Sequence, residues 1–218
     1  MATAIRLEKF QTLGDILGPL GDVAPSRVRF HPTPGTATEA DLIAVNARKR
    51  GICELVDGVL VEKAMGYTES VLALWLGGML NAFVTPRNLG IVSGADGMMR
   101  LFPGLVRVPD LGFASWDRIP DRRMPTTPVA GFAPDLAVEV LSLSNTKAEM
   151  TRKRREYFKA GVRLVWEVDP RARIVNVYDD LKRSVVLNAS MTLDGGDVLP
   201  GFALPLADLF AELDRNGA

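Results

Sequence analysis

One strand-like segment places a carboxylate in a stretch that is otherwise apolar and should be buried. The segment APDLAVEVLS, residues 133–142, reads as a fully buried β-strand, yet Glu139 stands in its middle. An unpaired ionised carboxylate in an apolar interior costs on the order of several kcal/mol or more. We therefore expect that a cation, a proton, a metal ion or solvent at the edge of a cleft compensates the charge of Glu139.

The alternation of side chains along this strand separates two faces. Glu139 shares a face with Asp135 and Ala137, whereas Val138 and Val140 lie on the other face. Glu139 therefore points to the less apolar side of the strand.

Asp110 interrupts the apolar sequence LVRVPDLGF in a similar way. If the two strands are neighbours, Asp110 and Glu139 converge, and two carboxylates this close do not both stay ionised without a cation. Mg²⁺, a hard cation that prefers oxygen ligands, is the natural occupant. Two simpler readings remain open, because Glu139 also suits a structural ion pair and Asp110 also suits a turn after Pro109.

The stretch SNTKAEMTRKRREYFKAGV predicts a helix directly after this strand. Ser144 or Thr146 can cap its start, Thr146 with Glu149 fits a capping box, and Gly161 fits its end.

Lys153 lies on the inward face of this predicted helix. At about 100° per residue, Lys153 falls on the inward arc of the helix, whereas Arg152, Arg155 and Lys159 fall on the solvent side. A lysine that faces two metal-binding carboxylates can orient a water molecule or stabilise charge on a phosphate. The alternative is a lysine that extends past the core to reach solvent.

The remaining pattern predicts a mixed α/β fold with strands clustered in the centre. Thr38 caps a helix that ends at Gly51, and Asp57-Gly58 joins two apolar runs as a hairpin. A core helix covers about 68–84, and a second hairpin turns at 170–172.

We divide the chain into three parts. These are an N-terminal arm (1–37), one domain (38–210) and a C-terminal tail (211–218).

Composition excludes several classes of function. Lysine plus arginine and aspartate plus glutamate both total 26 in the 218 residues, which argues against a non-specific nucleic-acid coat protein. The single Cys53 excludes an internal disulfide and a cysteine-rich zinc site, and the single His31 excludes histidine-cluster hydrolases. No signal peptide is visible, and the apolar stretch 70–84 is too short to cross a membrane, so we expect a cytoplasmic protein.

Three blocks of the sequence resemble a known family. CELVDGVL, VPDLGF and the long block from Pro134 to Pro170 are similar to the Uma-two family of bacterial restriction endonucleases, in the PD-(D/E)XK nuclease superfamily. The resemblance covers roughly residues 38–210. It implies a restriction-endonuclease-like core, with a central mixed β-sheet flanked by helices, and phosphodiester cleavage that depends on Mg²⁺ or Mn²⁺.

The resemblance also implies roles for individual residues. Asp110 and Glu139 match the two acids of the signature, and Glu54 matches a further acid that can approach the metal. Leu141 occupies the position of the signature lysine, so Lys153 on the next helix is expected to replace it. The chain departs from many members at 66–70, where GYTES lacks their histidine.

The first hypothesis is a metal-dependent DNA endonuclease that works as a homodimer. Asp110, Glu139 and Glu54 serve the metal, and Lys153 assists catalysis. The candidate phosphate contacts are Arg118, Arg122, Arg123, Arg152 and Arg155, although ordinary solvated charge explains them equally well. The alternatives are an inactive nucleic-acid-binding or assembly module with the same fold, and a metal-dependent hydrolase acting on another substrate.

Overall fold

The structure of the protein is a computed structural model, and the residues that it describes are 10–48, 51–64, 66–181 and 183–217. The α-helices in these ranges are α1 (Leu13–Leu20), α2 (Glu39–Asn46), α3 (Tyr67–Val84), α4 (Lys147–Lys159) and α5 (Leu206–Ala211). The β-strands are β1 (Cys53–Val56), β2 (Val59–Glu62), β3 (Gly90–Ser93), β4 (Met98–Phe102), β5 (Leu105–Arg107), β6 (Leu111–Ser115), β7 (Val129–Ala130), β8 (Leu136–Val140), β9 (Leu164–Asp169), β10 (Ile174–Tyr178), β11 (Ser184–Asn188), β12 (Thr192–Gly195) and β13 (Leu199–Pro205).

The strands form separate sheets rather than one central sheet. The larger sheet has six strands in the order β11-β10-β9-β8-β6-β3, and a second sheet has five in the order β2-β1-β5-β4-β7. Strands β12 and β13 pair with each other. Both larger sheets are mixed, because β8 runs parallel to β9 and β4 runs parallel to β7 while their other pairs are antiparallel. The predicted mixed α/β class is confirmed.

The chain passes from one large sheet to the other at Val108-Pro109-Asp110. The sequence suggests one continuous strand through LVRVPDLGFAS, but the structure divides it into β5 and β6 in different sheets. Proline lacks a backbone N–H and cannot donate to a ladder, so Pro109 ends the pairing on the β5 side. The break places Asp110 directly before β6.

The two faces of β8 pack as the alternation predicts. Leu136, Val138 and Val140 are buried in a core that includes apolar side chains of α3 and α5. Ala137 belongs to a different apolar cluster, which includes Tyr157 of α4. Glu139 therefore points toward α4.

Both predicted hairpins are confirmed. Strands β1 and β2 pair through a turn at Asp57 and Gly58, which have positive φ angles of 52° and 79°. Two consecutive positive φ angles are those of a type I′ turn, which suits an Asp-Gly pair. Strands β9 and β10 form the second hairpin.

Helix α2 is shorter than the sequence predicts. Thr38 caps its start with a full capping box, but the helix ends at Asn46 and not near Gly51. The side chain of Asn46 accepts a hydrogen bond from the Cys53 N–H at 2.8 Å and donates to the Cys53 carbonyl at 3.0 Å. These bonds turn the chain into β1. Residues 49–50 of the predicted helix lie outside the described ranges.

Helix α3 is the predicted core helix. It buries Leu72, Leu76 and Leu80 against the six-stranded sheet. Within the described part of the chain, no helix combines the length and the apolar character that a membrane crossing requires.

Helix α4 begins at Lys147 and is capped by Thr146, one of the two caps that the sequence predicts. The Thr146 hydroxyl accepts a hydrogen bond from the Glu149 N–H at 2.9 Å. The reciprocal half of the predicted capping box is absent, because the Glu149 carboxylate turns to Arg27 and Asn145 instead. Gly161 follows the helix with a φ of 85°, as expected for a terminating glycine.

The described part of the N-terminal arm packs against the domain. Ile16, Leu20, Val23 and Val28 share an apolar cluster with Val162, which follows α4. The proposed division at residue 37 stays a prediction, and residues 1–9 lie outside the described ranges.

A buried ion pair fastens this arm to α4. The Arg27 guanidinium donates to both carboxylate oxygens of Glu149, at 2.9 and 2.7 Å. The side chains of Arg27 and Glu149 are 8% and 2% exposed. Two parallel bonds between planar groups fix the angle at which the arm meets α4.

We expect Arg27→Met to destabilise the protein strongly. The change leaves the buried Glu149 carboxylate without its cation, which typically costs about 3–5 kcal/mol. Urea unfolding monitored by circular dichroism measures the loss. Arg173→Ala is the matched control, since Arg173 pairs with Asp214 at an exposed position and its loss should be barely detectable. Equal losses in the two variants would contradict this account.

Candidate functional site

Asp110 directly precedes β6, whose neighbour β8 carries Glu139, so the two residues converge as expected if their strands are neighbours. Strand β6 pairs antiparallel with β8, with Leu111 opposite Val138. The Asp110 N–H donates to the Val138 carbonyl at 3.0 Å, and the Asp110 Oδ2 accepts from the Val140 N–H at 2.7 Å. The Asp110 side chain therefore continues the ladder beside Glu139.

The partner of Glu139 is Lys153. The Lys153 Nζ donates to both oxygens of Glu139, each at 3.0 Å, and both side chains are almost completely buried. The Tyr157 hydroxyl, one turn further along α4, donates to the Glu139 Oε1 at 2.6 Å. The geometric expectation that Lys153 reaches Glu139 is confirmed.

The ionisation of Glu139 depends on competing effects. Burial raises the pKa of Glu139 most, the Lys153 ammonium lowers it, and the negative charges of Asp110 and Glu54 raise it further. The pKa stays above its ordinary value. Asp110 bonds to the residues on either side of Glu139, so the two negative charges lie near each other and repel.

Lys153 is held in its charged form. Burial alone would lower its pKa, but the carboxylates of Glu139 and Glu54 outweigh burial and raise the pKa above the ordinary value. The side chain is therefore a fixed ammonium group and not a proton acceptor at neutral pH.

Glu54 reaches the site from β1, in the other sheet. Its Oε2 accepts from Arg107 at 2.7 Å, its Oε1 accepts from the Val108 N–H at 3.0 Å, and the Lys153 Nζ lies 3.3 Å from Oε1. Burial raises the pKa of Glu54, but Lys153 and Arg107 outweigh burial and bring it to about 2. Both oxygens of Glu54 are thus engaged by protein donors.

Three further residues of the cluster were not assigned from the sequence. Lys63 donates to the Asp110 Oδ1 at 2.8 Å. Arg107 contacts both Glu54 and Glu156, each at 2.7 Å, and Tyr157 contacts Glu139. Arg107 carried a usable signal, because it interrupts an apolar strand just as Glu139 does. Tyr157 lies on the predicted inward arc of α4, and Lys63 follows a buried strand with no pattern that indicates a role.

The donor set fits a two-carboxylate magnesium site. No group of three or more acidic, histidine or cysteine side chains suited to a metal occurs in the ranges that the structure describes. Mg²⁺ is commonly bound by one or two carboxylates, with water and substrate phosphate completing its shell. Asp110 and Glu139 form such a pair, and the ammonium groups of Lys63 and Lys153 show that the pair attracts positive charge.

An open cleft of about 510 Å³ reaches Asp110. It lies between α3 and the turn that follows β3, and small residues of α3 line it. The lining includes Ala73, Gly77, Gly78, Ser93 and Asp96. Asp110 also lines this cleft, although its side chain is only 4% exposed.

The five predicted phosphate contacts differ in their surroundings. Arg118 pairs with Asp135 at 3.1 Å, Arg122 pairs with Asp117, and Arg152 pairs with Glu156 at 2.6 Å. Arg123 and Arg155 are exposed, and neither has an ion-pair partner among the described residues. The role of all five in nucleic-acid binding stays a prediction.

The low pKa of Glu54 predicts a contribution to acid stability. A carboxylate whose folded pKa is depressed stabilises the fold above the unfolded-state pKa, and this stabilisation is lost as the pH falls through the folded pKa. For Glu54 the window runs from the ordinary 4.5 down to about 2. The free energy of unfolding of Glu54→Gln, measured by urea titration, should therefore fall less steeply with decreasing pH than that of the wild type.

Glu139→Gln is the control of opposite sign. Because the folded pKa of Glu139 is raised, its contribution is present at low pH and is lost as the pH rises. In Glu139→Gln the free energy of unfolding should therefore fall more steeply with decreasing pH than in the wild type. The same slope in the wild type and in Glu54→Gln would refute the assignment for Glu54.

Comparison with known proteins supports the fold. A chain described as a "putative nuclease belonging to DUF820", from Anabaena variabilis ATCC 29413, has a solved structure that is similar with a TM-score of 0.66. The two share 23% sequence identity over 74% of this chain and 91% of that chain. This likeness shows the fold and confirms the predicted class. No curated protein matches the chain.

A family model settles the relationship. The model described as "Uma2: Putative restriction endonuclease" matches residues 39–207, which is most of the chain. The match supports a nuclease function and confirms the resemblance found in the sequence. The chain belongs to the Uma2 family of restriction-endonuclease-like proteins.

Proposed function

We propose that the protein is an endonuclease that hydrolyses DNA phosphodiester bonds with Mg²⁺ or Mn²⁺. Family membership supports the nuclease class. The observation that carries the proposal is that Asp110, directly before β6, lies beside Glu139 of the adjacent strand β8, with the Lys153 Nζ 3.0 Å from Glu139. The cleft beside Asp110 supports access for a substrate.

Asp110 and Glu139 are the residues that would hold the metal. When bound, the ion supplies a polarised water and stabilises negative charge on the phosphate. The Asp110 carboxylate is oriented by the Val140 N–H, and the Glu139 carboxylate is oriented by Lys153 and Tyr157. The protein thus fixes both ligands before a substrate arrives.

Lys153 contributes a permanent positive charge. Because its raised pKa keeps the ammonium protonated, its role in the proposal is to stabilise charge on the phosphate or to orient the nucleophile, and not to remove a proton. Leu141 occupies the position of the signature lysine after β8, and Lys153 takes over the role of that lysine from the next helix.

Glu54 is proposed to assist the metal through water or by positioning. Its contacts support the positioning role, since its oxygens already bind Arg107, Val108 and Lys153. An ionised Glu54 carboxylate attracts the Lys153 ammonium and so holds it between the two sheets.

The finer details of substrate and assembly are part of the proposal. DNA is the proposed substrate, and Arg123 and Arg155 are the most available of the predicted phosphate contacts because both are exposed and have no ion-pair partner among the described residues. A homodimer suits a nuclease that cuts both strands. The dimer and the cytoplasmic location stay predictions from the sequence.

A nuclease assay with three variants tests the proposal. Purified wild type should cleave plasmid or single-stranded DNA with Mg²⁺ or Mn²⁺. Asp110→Asn, Glu139→Gln and Lys153→Met should each lower the rate by at least about 100-fold, as expected for the loss of a group that stabilises charge in the transition state. Asp214→Asn removes an exposed carboxylate that pairs with Arg173 and should retain full activity. Cleavage that survives in all three site variants would indicate contamination or a different site.

A second candidate is a nucleic-acid-binding or assembly module without turnover. One observation favours it: Asp110 already pairs with Lys63 and Glu139 with Lys153, so each carboxylate has a cationic partner without a metal. Manganese titration separates the two candidates. The nuclease proposal requires binding at or below millimolar concentration and its loss in Glu139→Gln, whereas absence of binding in the wild type would favour the module.

A further inference from the structure

Lys63 is a buried lysine that the proposed chemistry does not use. It directly follows β2, on the segment that leads to α3, and its side chain is 3% exposed. Its backbone N–H donates to the Ile52 carbonyl at 2.8 Å, which fixes the position of its Cα beside β1. The ammonium group lies 2.8 Å from the Asp110 Oδ1.

The oxygen that Lys63 contacts is the one that a metal would need. Asp110 has two carboxylate oxygens, and the Val140 N–H already binds Oδ2 at 2.7 Å. That bond belongs to the pairing of the chain with β8, so Oδ2 is committed to the fold. Oδ1 is the oxygen that remains for a cation, and Lys63 lies against it.

The two lysines of the cluster differ in how firmly they are held. Lys153 contacts two carboxylates, Glu139 at 3.0 Å and Glu54 at 3.3 Å, and therefore links both sheets. Lys63 has one carboxylate partner within ion-pair distance among the described residues, which is Asp110. An ammonium on a flexible four-carbon stem with one such partner can withdraw when a stronger cation arrives.

We propose that Lys63 is an internal counter-ion that competes with the divalent metal for the Asp110 Oδ1. This inference rests on the proposed function, because it assumes that Asp110 is a metal ligand. Without metal, the Lys63 ammonium neutralises Asp110 and preserves the buried site. When a divalent ion binds Oδ1, the Lys63–Asp110 pair breaks, so Lys63 lowers the metal affinity of the site.

Metal binding to the full chain tests the competition directly. The apparent Kd for Mn²⁺, measured by electron paramagnetic resonance of the free ion, should be at least about tenfold lower in Lys63→Met than in the wild type. Methionine keeps most of the side-chain length and removes the charge. Lys63→Arg keeps the charge and should bind Mn²⁺ as weakly as the wild type.

Lys159→Met is the matched control for the loss of a positive charge. Lys159 is an exposed residue of α4, and its ammonium lies over the ring of Phe102 at 5.2 Å. Its removal should leave the Kd for Mn²⁺ unchanged. An unchanged or higher Kd in Lys63→Met would overturn the inference, because Lys63 would then be indifferent to the metal or would position Asp110 for it.

Thermal unfolding gives an independent measurement in case Lys63→Met folds poorly. Without metal the variant should have a lower Tm than the wild type, because Asp110 has lost its counter-ion. Saturating Mn²⁺ should raise the Tm of the variant by more than it raises that of the wild type. Lys63→Gln, which keeps a hydrogen-bond donor without charge, should show the same pattern if Lys63→Met cannot be purified. Equal metal-induced shifts would count against the competition.

The outcomes separate this inference from the proposed function. If Mn²⁺ binds the wild type and not Asp110→Asn, the metal site is supported, and the Lys63 variants then decide the competition alone. If the wild type does not bind Mn²⁺, or if Asp110→Asn binds it equally well, the metal site and the competition both fail.

Discussion

The structure depends on one ammonium group that is shared by two buried carboxylates. Lys153 lies on α4 and contacts Glu139 of the six-stranded sheet and Glu54 of the five-stranded sheet. Removing three charges from water is costly, and the attraction among them offsets this cost only with close geometry and further hydrogen bonds. Those bonds come from Tyr157, which donates to the Glu139 Oε1 that Lys153 also contacts, and from Arg107, which donates to the Glu54 Oε2 that Lys153 leaves free.

The same charge network extends from the site to the outer elements. Arg107 joins Glu54 to Glu156 of α4, and Arg152 joins Glu156 to Asp57 in the β1–β2 turn. Helix α4 is therefore attached to the first hairpin by successive ion pairs in addition to apolar packing. The position of Lys153 is consequently determined by several elements and not by its own side chain alone.

The sequence predicts the centre of the site because the relevant signals are local. A carboxylate in an apolar strand and a lysine on the inward arc of the next helix are separated by one connection, so alternation and helical periodicity place Glu139 and Lys153 on facing surfaces. The hairpins and the start of α4 follow from turn and cap residues for the same reason. The family resemblance added Glu54, whose approach from another sheet no periodicity could indicate.

The sequence does not predict what depends on distant pairing. The division of the strands between two sheets is one such feature. The side-chain contacts are others: Arg27 and Glu149 are 122 positions apart in the sequence, and Lys63 and Asp110 are 47 positions apart. The sequence suggests one strand through Pro109, and it does not indicate which sheet β5 joins. The end of α2 at Asn46 likewise depends on hydrogen bonds to Cys53, which only the folded chain brings together.

The short crossing at Val108-Pro109-Asp110 has a mechanical consequence. Arg107 is bonded to Glu54 within the five-stranded sheet, whereas Asp110 is bonded to β8 within the six-stranded sheet. Two rigid layers joined over so few residues cannot slide past each other without breaking buried ion pairs at the joint. We therefore expect a bulky ligand to be admitted by movement of the walls of the cleft, which are α3 and the turn after β3, while the two layers behave as one rigid frame.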